Sequence, residues 1–135
     1  MGSWQVWNEG MVNGMRFVVQ EHFASRHHYD FRLEMDGVAK SWAVPKGMPT
    51  ERGEKRLGIQ VEDHSLDYMD FEGEIPPGMY GAGRVLIWDR GTYELLKRDD
   101  REIKVKLNGE KLKGTYVLIR FPKSGKNAWL IIKKD

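Results

Sequence analysis

Between His28 and Val44 the chain alternates polar and apolar residues on both sides of a single Asp36–Gly37 pair. Asp-Gly flanked by such runs marks a two-residue type I′ turn, because both central residues need positive φ. A turn that short fixes the pairing of the strands it joins. Met35 then faces Val38, Leu33 faces Lys40, Phe31 faces Trp42 and Tyr29 faces Val44, giving a mostly apolar face. On the other face Arg32 meets Ser41, Asp30 meets Ala43 and Glu34 meets Ala39. A slip by one residue would put the charges under Trp42, so this register is strongly specified.

Residues two apart in a strand point the same way. His28, Asp30 and Arg32 therefore line up an imidazole, a carboxylate and a guanidinium, and their cross-strand partners Ala43 and Ser41 are small. That leaves room for an ion and a phosphate-sized group. His22 lies six residues before His28 and returns to the same place if residues 23–27 form a loop. Two imidazoles and a carboxylate suit a hard-to-borderline divalent ion, and the arginine suits an anionic ligand beside it. The bland alternative is a half-solvated strand with scattered charges.

A second stretch, Arg56 to His64, also alternates. Leu57, Ile59 and Val61 share one face, and Arg56, Gly58, Gln60, Glu62 and His64 share the other. Two polar rows facing one cavity would bring Arg32, Arg56 and His64 toward a single anion, which arginine grips bidentately while staying charged. Lys46, just past the hairpin, would add a point charge at the rim. Taken singly, Arg56, Lys46 and Glu62 also read as solvated charges, and His64 as a loop histidine.

Period-two patterning runs through most of the chain, with Gly, Pro, Asn-Gly and Asp-Gly as punctuation. Strands are expected near 16–22, 28–35, 38–44, 56–63, 84–89, 92–97, 102–107, 115–121 and 128–133. A turn is expected at Asn108–Gly109, a hairpin loop at 122–127, an ordered Gly/Pro-rich loop at 71–83, and no helix. Regularly spaced short strands in 135 residues predict one all-β domain, an antiparallel barrel or sandwich. The net charge of +2 excludes a broad polybasic surface, so any nucleic-acid contact must be local. Absence of cysteine excludes disulfides and thiolate-bound zinc. No membrane-spanning run or signal peptide is visible, which makes a cytoplasmic location the expectation.

Several ungapped motifs carry a resemblance. Ser25–Leu33 after His22, then Lys40–Gly47, Val61–Tyr68, Asp70–Gly73, Ile75–Gly83 and Trp88–Gly91 stand in one order and together closely resemble the 3′-phosphoesterase domain of bacterial DNA ligase D. The likeness runs from about Arg16 to the C-terminus. It implies a small closed antiparallel β-barrel of about eight or nine strands with a Mn2+ site, for which Co2+ or Zn2+ would also suit the ligands. It further implies an end-healing hydrolase that removes a 3′-terminal ribonucleoside and then the 3′-phosphate, leaving a 3′-hydroxyl. By position, His22, His28 and Asp30 match the family's metal ligands. Arg32, Lys46, Arg56 and His64 match its phosphate contacts, and Glu62 and Tyr68 match further functional positions.

The partners implied are DNA or RNA/DNA primer–template 3′ ends and end-joining ligase or polymerase proteins, with the chain acting as a monomer. Residues 1–15 form an N-terminal arm that lacks the family's acidic and basic pattern, and 16–135 form the barrel domain. No ligase or polymerase signature fits, so a free-standing version of the module, or the module cut from a longer protein, is expected. Two other readings compete. One is an Fe(II) facial-triad oxygenase built on His28, Asp30 and His64. The other is a non-catalytic nucleic-acid-binding barrel that stacks bases on Trp42, Trp88, Tyr80 and Tyr68.

Overall fold

A computed structural model describes residues 15–135; residues 1–14, nearly all of the expected N-terminal arm, lie outside the described part. Nine strands follow in order: β1 Met15–Phe23, β2 His27–Met35, β3 Val38–Val44, β4 Lys55–His64, β5 Gly73–Ile75, β6 Gly83–Arg98, β7 Glu102–Gly109, β8 Lys113–Arg120 and β9 Ala128–Lys133. They pair in the order β1-β2-β3-β4-β9-β8-β7-β6-β5, and β1 also pairs with β6. That last pairing closes eight strands into an antiparallel barrel and leaves β5 outside the ring on β6. Short 3-10 turns occupy Leu66–Asp70 and Pro122–Ser124. Among the described residues no helix is long and apolar enough to cross a membrane.

The β2–β3 register is the one the Asp-Gly turn dictates, from Tyr29 opposite Val44 to Met35 opposite Val38. Asp36 and Gly37 take the required positive φ, 59° and 79°. The apolar face of this hairpin turns into the barrel. There Phe17, Val19, Phe31, Leu33, Trp42, Tyr93, Val105, Tyr116, Leu118 and Ile131 form one buried cluster. Each large side chain fully withdrawn from water contributes roughly 1.5–3 kcal/mol. The polar row of β2 consequently lies on the outer surface of the barrel. Beside it, a second small cluster of Val18, Ala39 and Met69 seats the Leu66–Asp70 turn on that outer face.

Three expectations need correcting. The segments 84–89 and 92–97 are one strand, β6. Gly91 does not turn the chain; a Cβ there would strike the Asn108 carbonyl and Gly109, so the glycine permits close passage of β6 over β7. The same strand bulges at Trp88, which stands between the residues facing Val19 and Gln20. Second, the 71–83 loop contains the short strand β5. Third, β7 continues through Gly109, and the chain turns at 110–112 instead.

Asp89 explains where that turn falls. Its buried carboxylate accepts hydrogen bonds from the backbone amides of Glu110 (2.9 Å), Lys111 (3.1 Å) and Leu112 (2.8 Å). Asp89→Ala strands these donors and is expected to lower stability by about 3 kcal/mol, read as a reduced urea midpoint at constant slope. An unchanged midpoint would show that the carboxylate does not hold the turn.

Candidate metal centre

β1 and β2 pair so that His22 stands directly opposite His28. The two imidazoles meet across a strand pair, and only residues 24–26 turn the chain between them. Asp30, two residues along β2, shares their face and is 7% exposed. His28 Nε2 lies 3.3 Å from Asp30 Oδ1, and His22 Nδ1 lies 3.5 Å from Asp30 Oδ2. One ligand atom from each of the three residues falls within 4.8 Å of the others.

The remaining ring nitrogens decide what the cluster offers. His22 Nε2 donates to the Gly81 carbonyl at 2.7 Å, and His28 Nδ1 donates to the Arg26 carbonyl at 2.9 Å. A carbonyl can only accept, so each ring keeps a proton on its outer nitrogen. The inner nitrogen of each is then free to present a lone pair beside Asp30. Such outer-shell carbonyls are what orient metal-binding histidines, and two nitrogens with one carboxylate fit a first-row divalent ion. Hydrogen bonding to Asp30, reinforced by the Arg26 carbonyl, raises the His28 pKa against the opposing effect of burial. Burial alone would raise Asp30, but the His28 hydrogen bond and the charges of Arg32, His28 and His22 hold its carboxyl below the usual range.

Arg32 completes the group, 3% exposed, with Nη2 at 3.6 Å from Asp30 Oδ2. Its Nε donates to Gln20 Oε1 at 2.6 Å, and Nη1 donates to Ser41 Oγ at 2.6 Å and to His64 Nδ1 at 3.2 Å. The guanidinium also lies 4.9 Å from the centre of the Tyr68 ring. Fully buried Gln20 passes the constraint on, donating to the Tyr68 and Phe71 carbonyls at 2.8 and 3.2 Å. Burial lowers the Arg32 pKa and Asp30 opposes this; the group stays a cation because arginine starts far above neutrality. Nδ1 of His64 stands 3.2 Å from both Arg32 Nη1, which can only donate, and the Glu62 carbonyl, which can only accept, so these two neighbours favour opposite tautomers of the ring. Burial and the adjacent Arg32 charge pull the His64 pKa down. Burial pushes the Tyr68 hydroxyl up despite Arg32, so it keeps its proton.

These side chains line a cavity of about 390 Å³ whose further wall includes Ala24, Tyr80 and Gly81. The structure thus brings together His22, His28, Asp30, Arg32, His64 and Tyr68. Three expected residues lie outside the cavity wall. Arg56 pairs with Glu54 at 3.3 Å, Lys46 is exposed in the turn after β3, and Glu62 is exposed, offering only its carbonyl to the neighbourhood of His64.

The reason lies in β4. Gln60 stands opposite Trp42 and accepts from Trp129 Nε1 at 3.1 Å, and a Cβ on Gly58 would touch Ile131 and Trp42. The Arg56–Gly58–Gln60 row therefore faces the barrel interior, where two tryptophans leave space only for small or hydrogen-bonding residues. Ile59 and Val61 face the cavity side. A bulge between Val61 and His64 then shifts the alternation and returns His64 to that side.

The oxygenase set of His28, Asp30 and His64 does not form, because His64 is engaged by Arg32 and His22 closes the cluster. Trp42 is core, with no face for a base. Sequence reasoning missed Gln20, whose only signal is its place two residues before His22 on a buried strand, and the Gly81 carbonyl, which no side chain announces.

Residues 20–120 match the model of the DNA ligase D 3′-phosphoesterase domain. The chain belongs to this family. The 3′-phosphoesterase match spans every residue of the cavity wall. The chain is 54% identical over 126 residues to the multifunctional non-homologous end joining protein LigD of Pseudomonas aeruginosa, covering 88% of the chain and 15% of that protein. It is 54% identical over 112 residues to the multifunctional non-homologous end joining DNA repair protein LigD of Mycobacterium tuberculosis, covering 80% and 15%. Against LigD of Mycolicibacterium smegmatis it is 50% identical over 129 residues, covering 87% and 16%. The chain therefore spans about 15% of the length of the curated relatives it matches.

One consequence of the centre is a pH dependence. His28 takes up a second proton, on its inner nitrogen, more readily than a free histidine, and an ion must displace that proton. Divalent-ion affinity of this 3′-phosphoesterase domain is expected to fall as the solution is acidified, with the decline beginning above the ordinary imidazole pKa of about 6.5. Calorimetry in buffers of different ionisation heat should show proton release on binding in that range. Flat affinity from about pH 8 to about pH 6 would remove His28 from the ligand set.

Proposed function

We propose that this 3′-phosphoesterase domain heals nucleic-acid 3′ ends in two hydrolytic steps. It removes a 3′-terminal ribonucleoside to leave a 3′-phosphate, and then removes that phosphate to leave a 3′-hydroxyl. One observation carries the reading: the ligand set of His22, His28 and Asp30 and the pre-set guanidinium of Arg32 share Asp30 and open on one cavity. A primer–template 3′ end is the proposed substrate, processed by a single copy in the cytoplasm alongside end-joining ligase and polymerase proteins.

His22 Nδ1, His28 Nε2 and the Asp30 carboxylate would hold the ion. Manganese follows from the family likeness, while the donor set suits cobalt or zinc as well. When bound, such an ion polarises a phosphoryl oxygen and lowers the pKa of a bound water.

The chain's own groups supply the rest. Nε and Nη1 of Arg32 are occupied by Gln20, Ser41 and His64, which leaves Nη2 for a phosphoryl oxygen. Because those partners fix the guanidinium before substrate arrives, it stabilises developing charge without reorganising. In the tautomer that accepts from Arg32 at Nδ1, His64 carries its proton on Nε2 and donates it to a phosphoryl or leaving oxygen. Tyr68 covers the guanidinium and shields it from water, which strengthens its field. Lys46, Arg56 and Glu62, outside the cavity wall, are proposed to contact the strand away from the reacting phosphate.

The test is a gel assay on a duplex primer ending in one ribonucleotide, with and without manganese. The wild type is expected to yield a shortened 3′-phosphate strand and then a 3′-hydroxyl strand, only with metal. Asp30→Ala and His28→Ala should abolish both products. Arg32→Ala should lower kcat by about 10²–10³-fold, the loss typical of a removed oxyanion donor. Metal-independent trimming, or wild-type turnover in Asp30→Ala, would overturn the reading.

A further inference from the structure

Opposite the metal centre, the cavity wall includes a side chain that the chemistry above does not use. Tyr80 lines the cavity yet is 84% exposed, and its neighbour Met79 is 60% exposed. An aromatic ring with so much of its surface in water gains nothing for the fold. Its surroundings are nonetheless built with care. Residues 76–82 leave and rejoin the sheet at the Ile75–Gly83 pair. Two successive turns shape the loop, with Met79 N donating to Pro76 O at 3.2 Å and Ala82 N donating to Met79 O at 3.0 Å. Gly78 and Gly81, with φ of 88° and 76°, flank the Met79–Tyr80 pair in conformations that side chains rarely adopt.

Both ends of the loop are tied to the site. Gly83 packs so tightly on the carbonyl of Phe23 that it tolerates no Cβ, which brings the loop against the β1–β2 turn. The Gly81 carbonyl, one residue from Tyr80, holds the outer nitrogen of His22. Tyr80 is thus held one peptide from a carbonyl that orients a metal-binding histidine. On the facing β1–β2 turn, beside Ala24 of the cavity wall, Phe23 is 43% exposed and stacks on His27 at 4.9 Å. Exposed aromatic faces at the mouth of a cavity that receives a strand end fit the flat faces of nucleobases.

We propose that Tyr80 is the stacking platform for the terminal nucleobase, the one whose own sugar carries the 3′-phosphate inside the cavity. The inference rests on the phosphoesterase reading and deepens it by naming what holds the nucleoside. Stacking reads a π-face rather than hydrogen bonds, so the platform accepts all four bases.

The test uses duplex primers with a 3′-phosphate, ending either in a nucleotide or in an abasic tetrahydrofuran residue. Tyr80→Ala is expected to raise KM for the nucleotide end by about 10-fold to 100-fold, and Tyr80→Phe to restore it. On the abasic end the wild type should show the raised KM already, and Tyr80→Ala should add nothing further. A terminal 2-aminopurine, whose fluorescence stacking quenches, gives a second readout in EDTA, where no turnover occurs. Quenching by the wild type and Tyr80→Phe but not by Tyr80→Ala supports the platform. Quenching without turnover in any metal would sink the phosphoesterase reading and keep the platform. Turnover with an unchanged KM in Tyr80→Ala, or an equal loss on the abasic end, would sink the platform and keep the reading.

Discussion

The alternation of β2 is the constraint on which the rest of the structure depends. Phe31 and Leu33 lock the strand into the barrel interior, and the same pleat obliges His28, Asp30 and Arg32 to point outward. Pairing to β1 then sets His22 opposite His28, and pairing to β3 sets Ser41 opposite Arg32. The core and the site are two faces of one ladder. A change that shifts its register therefore destroys both together.

Placing charge on this outer face still buries it, because the Leu66–Asp70 turn and the 71–83 segment cover the row. Desolvation is the largest single influence on both Asp30 and Arg32. A buried charge pair is tolerated only when further hydrogen bonds satisfy it. Gln20, Ser41 and His64 do this for the guanidinium, and the carboxylate is held by the Arg32 charge at 3.6 Å and by a hydrogen bond from His28 once the inner nitrogen of that ring is protonated. Asp30 and Arg32 balance each other formally. A divalent ion would leave its full charge uncompensated, which a phosphate dianion matches.

The hairpin was legible from the chain because a two-residue turn leaves no freedom in register, and every cross-strand pair from Tyr29 to Met35 stands as its spacing requires. The outward row and its small partners followed from the same rule. The orientation of β4 was not legible. Its apolar residues look like the core-facing set, but Trp42 and Trp129 fill the interior so completely that Gly58 and Gln60 must face them. His64 reaches the site only through a bulge, which no local pattern discloses. The single strand β6 was hidden because Gly91 reads as a turn when it serves a close crossing. Tyr68 was reached through family likeness alone; periodicity gives no reason to bring a 3-10 turn over Arg32.

The hydrogen bond from His22 to the Gly81 carbonyl has a consequence for how this chain can vary. Surface loops ordinarily drift in length and composition because little depends on their path. Here one peptide group of such a loop decides which imidazole nitrogen of His22 keeps its hydrogen. Adding or deleting a residue between Pro76 and Gly81 would withdraw that acceptor and let the ring tautomerise or rotate. A loop that contributes no ligand would thus share in setting the affinity of the proposed ion site.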